Sequence, residues 1–180
     1  MTGSAAPAVL ERRGAVFFDR DGVINLDHGY VHHRDQFEWM PGVARAIRRV
    51  KDSGRRAFLI TNQAGVARGY YDEAAVAELH AFVQAVLAAE GAAFDDIRYC
   101  PHHPEGVVAG YARACDCRKP KPGMILDLIA KWPTDLARSG VIGDKASDVE
   151  AGAAAGIAGS LFTGGDLEPA VEALLARIGG

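Results

Sequence analysis

Short apolar runs alternate with longer segments of helical periodicity along most of this 180-residue chain. The segment 42–54, for example, repeats apolar residues at Val43, Ala46, Ile47 and Val50, which is the spacing of one helix face. The runs predict five strands, over residues 15–18, 57–60, 97–99, 140–142 and 160–162. The periodic segments predict five helices, over residues 42–54, 72–91, 121–132, 147–158 and 169–178. Strands and helices in alternation predict an α/β fold, a Rossmann-like sandwich around a mostly parallel sheet.

The composition is that of an ordinary globular protein. Hydrophobic residues make up 49% of the chain, and the length of 180 residues suits one domain with a full core. We therefore expect a single domain over residues 1–180, of which residues 1–13 are flexible. The formal net charge of −3 gives no reason to expect a nucleic acid as partner.

The sequence predicts no membrane segment. Its apolar runs are far shorter than the roughly 20 residues that a spanning helix needs. The first residues lack the charged region and apolar core of a secretory signal. We expect a cytoplasmic protein with no membrane partner, and the lack of an exposed apolar stripe in the pattern favours a monomer.

Polar residues lie at the ends of three predicted strands. Asp19 and Asp21 come after the first strand, Thr61 and Asn62 after the second, and Asp144 after the fourth. In a parallel sheet, ligands bind beyond the carboxyl ends of the strands. The residues are therefore expected to meet in one crevice.

The two acids after the first strand have two interpretations. Asp21-Gly22 alone is typical of a turn, but a turn does not explain the carboxylate of Asp19 at the end of a buried strand. Mg²⁺ explains both, because it binds a few carboxylates and leaves positions for water and a substrate phosphate. Basic and hydrogen-bonding side chains nearby would then face the phosphate oxygens. The sequence therefore predicts a magnesium-dependent site for phosphoryl transfer.

Four motifs resemble those of the haloacid dehalogenase (HAD) superfamily, and they occur in the same order. The first, DxD, is found in FFDRDGVIN at Asp19, and the second, a threonine at a strand end, is found in LITNQ at Thr61. The third, a lysine, is Lys119 in RKPKPGM, and the fourth, GDxxxD, is GDKASD from Gly143 to Asp148. One DxD is weak support, whereas four motifs in register over nearly the whole chain are strong support.

The resemblance implies a role for each motif residue. Asp19 would be the nucleophile that forms an aspartyl-phosphate, and Asp21 would be the general acid and base. Thr61 and Lys119 would hold the phosphoryl oxygens. The Mg²⁺ ligands would be Asp19, the backbone carbonyl of Asp21, and Asp144, with Asp148 behind them.

Three cysteines and a histidine form a second pattern. The pairs Cys100/His102 and Cys115/Cys117 are separated by a loop, which is typical of a tetrahedral structural Zn²⁺ site. His103 is a competing ligand. Free buried thiols and a Cys115–Cys117 disulfide are the alternatives, and the close spacing disfavours the disulfide. Zinc would order the loop and fix the phosphate-binding residues that follow it.

The spacing of the motifs leaves no room for a cap domain. About forty residues separate Asp19 from Thr61, and much of that stretch is predicted helix. The stretch from Thr61 to Lys119 holds one helix and the proposed zinc loop over residues 100–117. We therefore expect a HAD-like domain without a cap, in which the loop after the first motif contributes most to specificity.

Within the superfamily, five segments resemble those of bacterial heptose bisphosphate phosphatases: DHGYVH, TNQAGVARG, YCPHHPEG, CDCRKPKPGM and GDKASD. This resemblance implies removal of the C7 phosphate of a heptose 1,7-bisphosphate, a phosphorylated sugar, for surface polysaccharide synthesis. It also implies catalytic Mg²⁺ and structural Zn²⁺. Ala64 stands where a serine is common in that family, so a hydroxyl contact would be lost and a backbone contact kept. The implied substrate contacts are Asp27, His28, Gly29, Tyr30, Asn62, Gln63, Ala64, Arg118 and Lys145.

Two other functions are compatible with parts of the sequence. Enzymes for histidinol phosphate share the zinc loop, and the loop from Asp27 to His33 would distinguish them or another small phosphomonoester phosphatase. A non-catalytic scaffold stabilised by zinc belongs to a different class, and the intact motif residues argue against it. The sequence leaves the preferred anomer at C1 open.

Overall fold

Five parallel strands form one sheet, and helices cover both of its faces. The structure, a computed structural model, describes residues 11–179, so most of the predicted flexible segment 1–13 lies outside the described residues. The strands are β1 (Ala15–Phe18), β2 (Arg56–Asn62), β3 (Asp96–Cys100), β4 (Gly140–Gly143) and β5 (Ala158–Leu161). The helices are α1 (Val43–Asp52), α2 (Glu73–Ala89), α3 (Gly123–Lys131), α4 (Ala146–Ala154) and α5 (Leu167–Arg177).

The strand order places β1 at the centre of the sheet, between β2 and β4. The order is β3-β2-β1-β4-β5, and each neighbouring pair is parallel. The chain moves outward from β1 to β3 and then returns to the other side of β1 with β4. Ligand crevices in such sheets lie at this reversal, beyond the carboxyl ends of the strands.

Strand β1 reads as a continuous apolar run because helices pack on both of its sides. Val16 and Phe18 pack with residues of α1, α2 and α5, whereas Ala15 and Phe17 pack with residues of α3 and α4. All four side chains are fully buried. Strands that are buried on both faces lose the alternating pattern of a half-exposed strand.

The structure confirms the predicted α/β fold class. A short 3₁₀ helix (Arg34–Gln36) and α1 lie between β1 and β2, and α2 lies between β2 and β3. Most element ends differ from the prediction by one or two residues, and two differences affect the interpretation. The helix predicted over 147–158 ends at Ala154, because Gly156 adopts a φ of 77° and β5 begins two residues later. Thr61 and Asn62 are the last residues of β2 and do not follow it.

Among residues 11–179, no helix is long and apolar enough to cross a membrane. Of the predicted flexible segment, residues 11–13 are described, and Arg13 pairs with Thr134. The single-domain organisation, the monomeric state and the cytoplasmic location stay predictions.

Asp96 connects the edge strand β3 to the end of α3. Its carboxylate accepts hydrogen bonds from Lys131 Nζ at 2.7 Å and Trp132 Nε1 at 2.9 Å, and it pairs with Arg98 at 2.7 Å. Burial acts to raise the pKa of Asp96, but these hydrogen bonds and the ion pair outweigh burial and lower the pKa to about 2. The folded state therefore favours the ionised carboxylate.

We expect Asp96→Asn to lower the free energy of unfolding near neutral pH by about 1–2 kcal/mol. A carboxylate whose pKa is depressed in the folded state stabilises the protein above its unfolded pKa of about 4, and this contribution is lost as the pH falls toward about 2. The difference between variant and wild type should therefore shrink over that window. Urea unfolding of both proteins at several pH values measures it, and a difference that is independent of pH would contradict the role of the charge.

Candidate active site

A tight turn at the carboxyl end of β1 holds both aspartates of the DxD motif. The backbone carbonyl of Arg20 accepts hydrogen bonds from the amides of Val23, Ile24 and Asn25, at 3.2, 2.8 and 3.1 Å. The amide of Arg20 donates to Asp19 Oδ1 at 2.8 Å. The turn therefore fixes the first carboxylate through the backbone of the residue that separates it from the second.

Gly22 allows the aspartate of the fourth motif to approach this turn. Its φ is 89°, a region that favours glycine, and a Cβ at this position would lie 2.4 Å from Asp144 Oδ2. Asp144 follows β4, which pairs with β1, so the sheet itself brings the two segments together. Any side chain at position 22 would therefore force Asp144 or the turn to move.

Lys119 forms a buried bridge between two carboxylates. Its Nζ lies 2.7 Å from Asp19 Oδ1 and 2.6 Å from Asp148 Oδ1, and it donates to the carbonyl of Ile60 at 3.3 Å. Burial acts to lower the pKa of Lys119, but the two aspartates outweigh it and raise the pKa, so the ammonium stays charged. Burial also raises the pKa of Asp19 to about 7, although Lys119 opposes that shift.

The two oxygens of Asp19 have different surroundings. Oδ1 accepts from the amide of Arg20 and pairs with Lys119. Oδ2 has no hydrogen bond to any residue within 11–179, and Asp19 lines the main cavity. Oδ2 is therefore the oxygen that is available to a ligand.

Asp21 accepts hydrogen bonds from three side chains. Oδ1 accepts from Asn25 Nδ2 at 3.0 Å and from a terminal nitrogen of Arg20 at 3.0 Å. Oδ2 accepts from the same Arg20 nitrogen at 3.0 Å and from Gln63 Nε2 at 3.2 Å. These donors determine the orientation of the carboxylate.

Gln63 is a buried link in a hydrogen-bond chain. Its Nε2 also donates to Thr61 Oγ1 at 2.8 Å, and its Oε1 accepts from the hydroxyl of Tyr71 at 2.8 Å. Tyr71 stacks on His32, with ring centroids 4.6 Å apart. Gln63 is 1% exposed, so its polar atoms serve protein contacts. The chain connects Asp21 and Thr61 to the loop that follows β1.

Asp19, Asp144 and Asp148 together provide ligand atoms for a cation. One carboxylate oxygen of each lies within 4.8 Å of the others. Asp144 Oδ1 is buried and has no hydrogen-bond partner among residues 11–179, a cost that a bound cation would remove. The oxygen donors fit Mg²⁺.

Both oxygens of Asp148 already have protein partners. Oδ1 pairs with Lys119 at 2.6 Å, and Oδ2 accepts from the amide of Lys145 at 3.0 Å. This arrangement is consistent with a position behind the direct metal ligands.

A cavity of about 580 Å³ opens beside these carboxylates. The predicted contact His28 lies outside its lining, because His28 Nε2 faces Glu38 Oε2 at 3.0 Å on the exposed surface. Tyr71, Pro120 and Ser147 line the cavity without having been predicted. The other predicted substrate contacts all line it, namely Asp27, Gly29, Tyr30, Asn62, Gln63, Ala64, Arg118 and Lys145.

Two of these predicted contacts pair with each other. Asp27 Oδ2 lies 3.2 Å from Lys145 Nζ, so the loop after β1 meets the start of α4. Burial acts to raise the pKa of Asp27, but the hydrogen bond from the Gly29 amide and the contact with Lys145 outweigh it and lower the pKa. Asp27 is therefore a carboxylate that strongly favours the ionised form.

Asn62 fixes the backbone of Lys119. Its Nδ2 donates to the carbonyl of Lys119 at 3.2 Å, and its Oδ1 accepts from the amide of Lys119 at 3.1 Å. This reciprocal pair ties the last residue of β2 to the segment that carries the lysine.

Cys100, His102, Cys115 and Cys117 form a Cys/His cluster at the end of β3. The sulphur atoms lie 3.1 to 3.5 Å apart, and His102 Nδ1 lies 3.4 Å from Cys117 Sγ. These separations exceed the roughly 2 Å of a disulfide and approach the edge of about 3.8 Å of a tetrahedral zinc–thiolate site. His103 points elsewhere, because its Nδ1 accepts from the amide of Glu105 at 3.1 Å. The donor set fits Zn²⁺ through His102.

Arg20 and Tyr71 are two residues whose hydrogen bonds shape this site and which the sequence did not indicate. A charged residue between two acids is typical of an exposed turn, whereas Arg20 is fully buried. Tyr71 lies well beyond the second motif, and only the folded loop brings its hydroxyl to Gln63.

Comparisons with known proteins agree with the site. A family model described as HAD-hydrolase-like matches residues 116–177. The D-glycero-beta-D-manno-heptose-1,7-bisphosphate 7-phosphatase of Rhodopseudomonas palustris is 52% identical over 178 residues, which cover 99% of this chain and 96% of that protein. The protein of the same name from Escherichia coli K12 is 43% identical over 160 residues, covering 88% of this chain and 84% of that one.

A solved structure gives the same result. The D,D-heptose 1,7-bisphosphate phosphatase from B. bronchiseptica, complexed with magnesium and phosphate, has a TM-score of 0.74 and 36% identity, covering 93% of this chain and 87% of that chain. The fold and the site define a phosphomonoester hydrolase of the haloacid dehalogenase class. Its identity to relatives over almost the whole length shows that the chain belongs to the D-glycero-β-D-manno-heptose-1,7-bisphosphate 7-phosphatase family. The resemblance inferred from the motifs is thereby confirmed.

We expect Lys119→Met to lower the free energy of unfolding by about 3–5 kcal/mol, because removal of one partner leaves buried carboxylates unpaired. Urea unfolding with a chelator present measures this, since divalent cations would offset the lost charge. Lys121→Met is the matched control, because Lys121 is an exposed lysine of the same segment paired with an exposed Asp116. Equal changes for the two variants would contradict the structural role of the buried bridge.

Proposed function

We propose that this enzyme removes the C7 phosphate of D-glycero-β-D-manno-heptose 1,7-bisphosphate. The names of its relatives support both the substrate and the β anomer. The arrangement of the cavity carries the proposal: Asp19 and Lys119 lie in its lining, and so do two further cationic residues, Arg118 and Lys145. A second group of cations suits a substrate with a second phosphate. Use of the product for surface polysaccharide is part of the same proposal.

In the first step, Asp19 acts as the nucleophile. Its Oδ2 attacks phosphorus, and the bond between phosphorus and the C7 oxygen breaks, which gives an aspartyl-phosphate. Protonated Asp21 donates its proton to the C7 oxygen, so the sugar leaves as an alcohol. Lys119 and Thr61 hold the oxygens of the group that is transferred.

In the second step, Asp21 acts as a base. It takes a proton from a water molecule as the water oxygen attacks the phosphorus of the aspartyl-phosphate. The bond between phosphorus and Asp19 then breaks and inorganic phosphate leaves. Both aspartates return to their starting protonation states, and the net reaction consumes one water.

Mg²⁺ would be held by Asp19, Asp144 and the backbone carbonyl of Asp21. Bound there, it supplies positive charge that offsets the repulsion between a carboxylate nucleophile and a phosphate. Support comes from the unpartnered Asp144 Oδ1 and from the relative whose structure contains magnesium and phosphate.

We assign the uncleaved phosphate to Arg118 and Lys145. Arg118 donates to the carbonyl of His102 at 3.4 Å, so the Cys/His cluster supports its position from behind. Zinc bound by the four residues of that cluster would have no open coordination position, and its role would be structural.

We expect Mg²⁺-dependent phosphate release from the β anomer of heptose 1,7-bisphosphate to exceed that from the α anomer and from histidinol phosphate in kcat/KM. Steady-state assays of the three substrates with the same enzyme preparation measure this. A preference for histidinol phosphate would be compatible with the proposed mechanism and would contradict the proposed substrate. No phosphate release from any of the esters would favour a non-catalytic scaffold.

Asp19→Asn is the control for the mechanism within this assay. It should lower kcat by more than roughly a thousandfold, because no other group replaces the nucleophile. Asp127→Asn is matched to it, since Asp127 is an exposed aspartate paired with Arg98, outside the cavity lining. Turnover by Asp19→Asn at the level of Asp127→Asn would exclude Asp19 as nucleophile.

For the zinc site, we expect His102→Ala to weaken zinc binding by more than about 100-fold, because the loss of an outer partner of a ligand alone costs roughly 10–100-fold. His103→Ala should retain one zinc per chain, because that side chain faces Glu105. Zinc content after dialysis against a chelator, measured for both variants, tests the assignment. Retention by His102→Ala with loss by His103→Ala would reverse it.

A further inference from the structure

Arg20 is a buried cation in the middle of the DxD motif. Its side chain is 0% exposed and lies outside the lining of the cavity, so it is not placed to touch a substrate. Burial of an arginine costs free energy unless its N–H donors have hydrogen-bond partners. The partners of Arg20 therefore indicate what its guanidinium does at this position.

The guanidinium of Arg20 binds the carboxylate of Asp21 with two nitrogens. Nε donates to Oδ1 at 3.3 Å, and a terminal nitrogen lies 3.0 Å from both Oδ1 and Oδ2. A planar guanidinium determines the orientation of a carboxylate in a way that a single ammonium does not.

The same guanidinium is fixed from two other directions. One terminal nitrogen also donates to the carbonyl of Val31, in the loop after β1. The other lies 3.5 Å from Nε2 of His80, a buried residue of α2. Burial and the charge of Arg20 lower the pKa of His80 to about 3, so its ring stays neutral and can accept the hydrogen bond. The guanidinium of Arg20 therefore cannot rotate without losing several of its hydrogen-bond partners.

Arg20 also contacts the other catalytic carboxylate through its backbone. Its amide donates to Asp19 Oδ1 at 2.8 Å, while its side chain holds Asp21. One residue thereby sets the relative placement of both acids.

We propose that Arg20 is a positioning residue that aims Asp21 at the leaving oxygen of the substrate. This inference rests on the proposed role of Asp21 as general acid. Protonation matters for a sugar alkoxide, which is a poor leaving group, and matters little for a nitrophenolate, which leaves without a proton. Loss of the Arg20 guanidinium should therefore lower kcat/KM more for the sugar phosphate than for the aryl phosphate. A general loss of structure would lower kcat/KM for both substrates by the same factor.

The test compares kcat/KM of Arg20→Lys for heptose 1,7-bisphosphate and for p-nitrophenyl phosphate. The variant keeps the positive charge and loses the planar guanidinium. The ratio kcat/KM covers the steps up to departure of the leaving group, so the second step does not obscure the comparison. We expect a loss of about 100-fold or more for the sugar and less than about tenfold for the aryl ester, in line with the usual contribution of general acids. Equal losses for the two substrates would overturn the proposal.

Two further variants complete the design. Arg56→Lys is the matched control, because Arg56 is a buried arginine that, within residues 11–179, donates to the carbonyls of Pro133 and Glu11 and lies over the ring of Trp132. It should affect both substrates equally. If Arg20→Lys does not fold, His80→Leu replaces it, because this variant removes the imidazole that contacts the guanidinium of Arg20. The same comparison of kcat/KM between the two substrates then tests the proposal. A smaller loss that is selective for the sugar supports the proposal, and a uniform loss refutes it.

A double variant gives an independent readout. In the Asp21→Asn background, Arg20→Lys should add less than about twofold to the loss for the sugar, because the group that it positions is already disabled. Full additivity would overturn the inference. If the wild type turns over another alkyl phosphate in place of the heptose bisphosphate, the substrate proposal fails, and the Arg20 test proceeds unchanged with that ester.

Discussion

The ammonium of Lys119, buried between Asp19 and Asp148, is the interaction on which the site depends. It joins three distant parts of the chain: the end of β1, the segment before α3, and the first turn of α4. A buried ion pair stabilises a fold poorly, but the loss of one partner is expensive. The arrangement therefore contributes little net stability, and its main effect is to fix the distance between the carboxylate of Asp19 and the ammonium of Lys119.

The scaffold around Lys119 explains how that distance is maintained. Asn62 at the end of β2 binds the backbone of Lys119 from one side. The Cys/His cluster precedes it in the chain and ends at Cys117, two residues away. Arg20 holds Asp21 in a corresponding way, so Lys119 and Asp21 are positioned by separate sets of contacts. The parallel sheet fixes where in space the segments that carry these contacts start.

Much of this molecule could be predicted from sequence, because strands buried on both faces leave continuous apolar runs and their polar ends mark the crevice. Asp19 and Asp144 were accessible in this way, and the Cys/His cluster was accessible through the spacing of its two residue pairs. The burial of Arg20 could not be predicted, since it depends on partners such as Val31 and His80 that only the folded structure brings to its guanidinium. The end of α4 could not be predicted either, because small residues such as alanine and glycine continue from the helix into the edge strand β5 without a change in pattern.

The pair formed by Asp27 and Lys145 has a consequence for the kind of ligand that the cavity can accept. Their side chains are 34% and 57% exposed, so the pair itself contributes little stability and a phosphate can take Lys145 at small cost. The carboxylate of Asp27 then stays at the edge of the cavity as a negative charge. A sugar hydroxyl can donate a hydrogen bond to this carboxylate, whereas a phosphate oxygen is repelled by it. Asp27 therefore opposes phosphate at one edge of a cavity in which Arg118 and Lys145 attract it, and a ligand that carries both a phosphate and hydroxyls can satisfy all three residues.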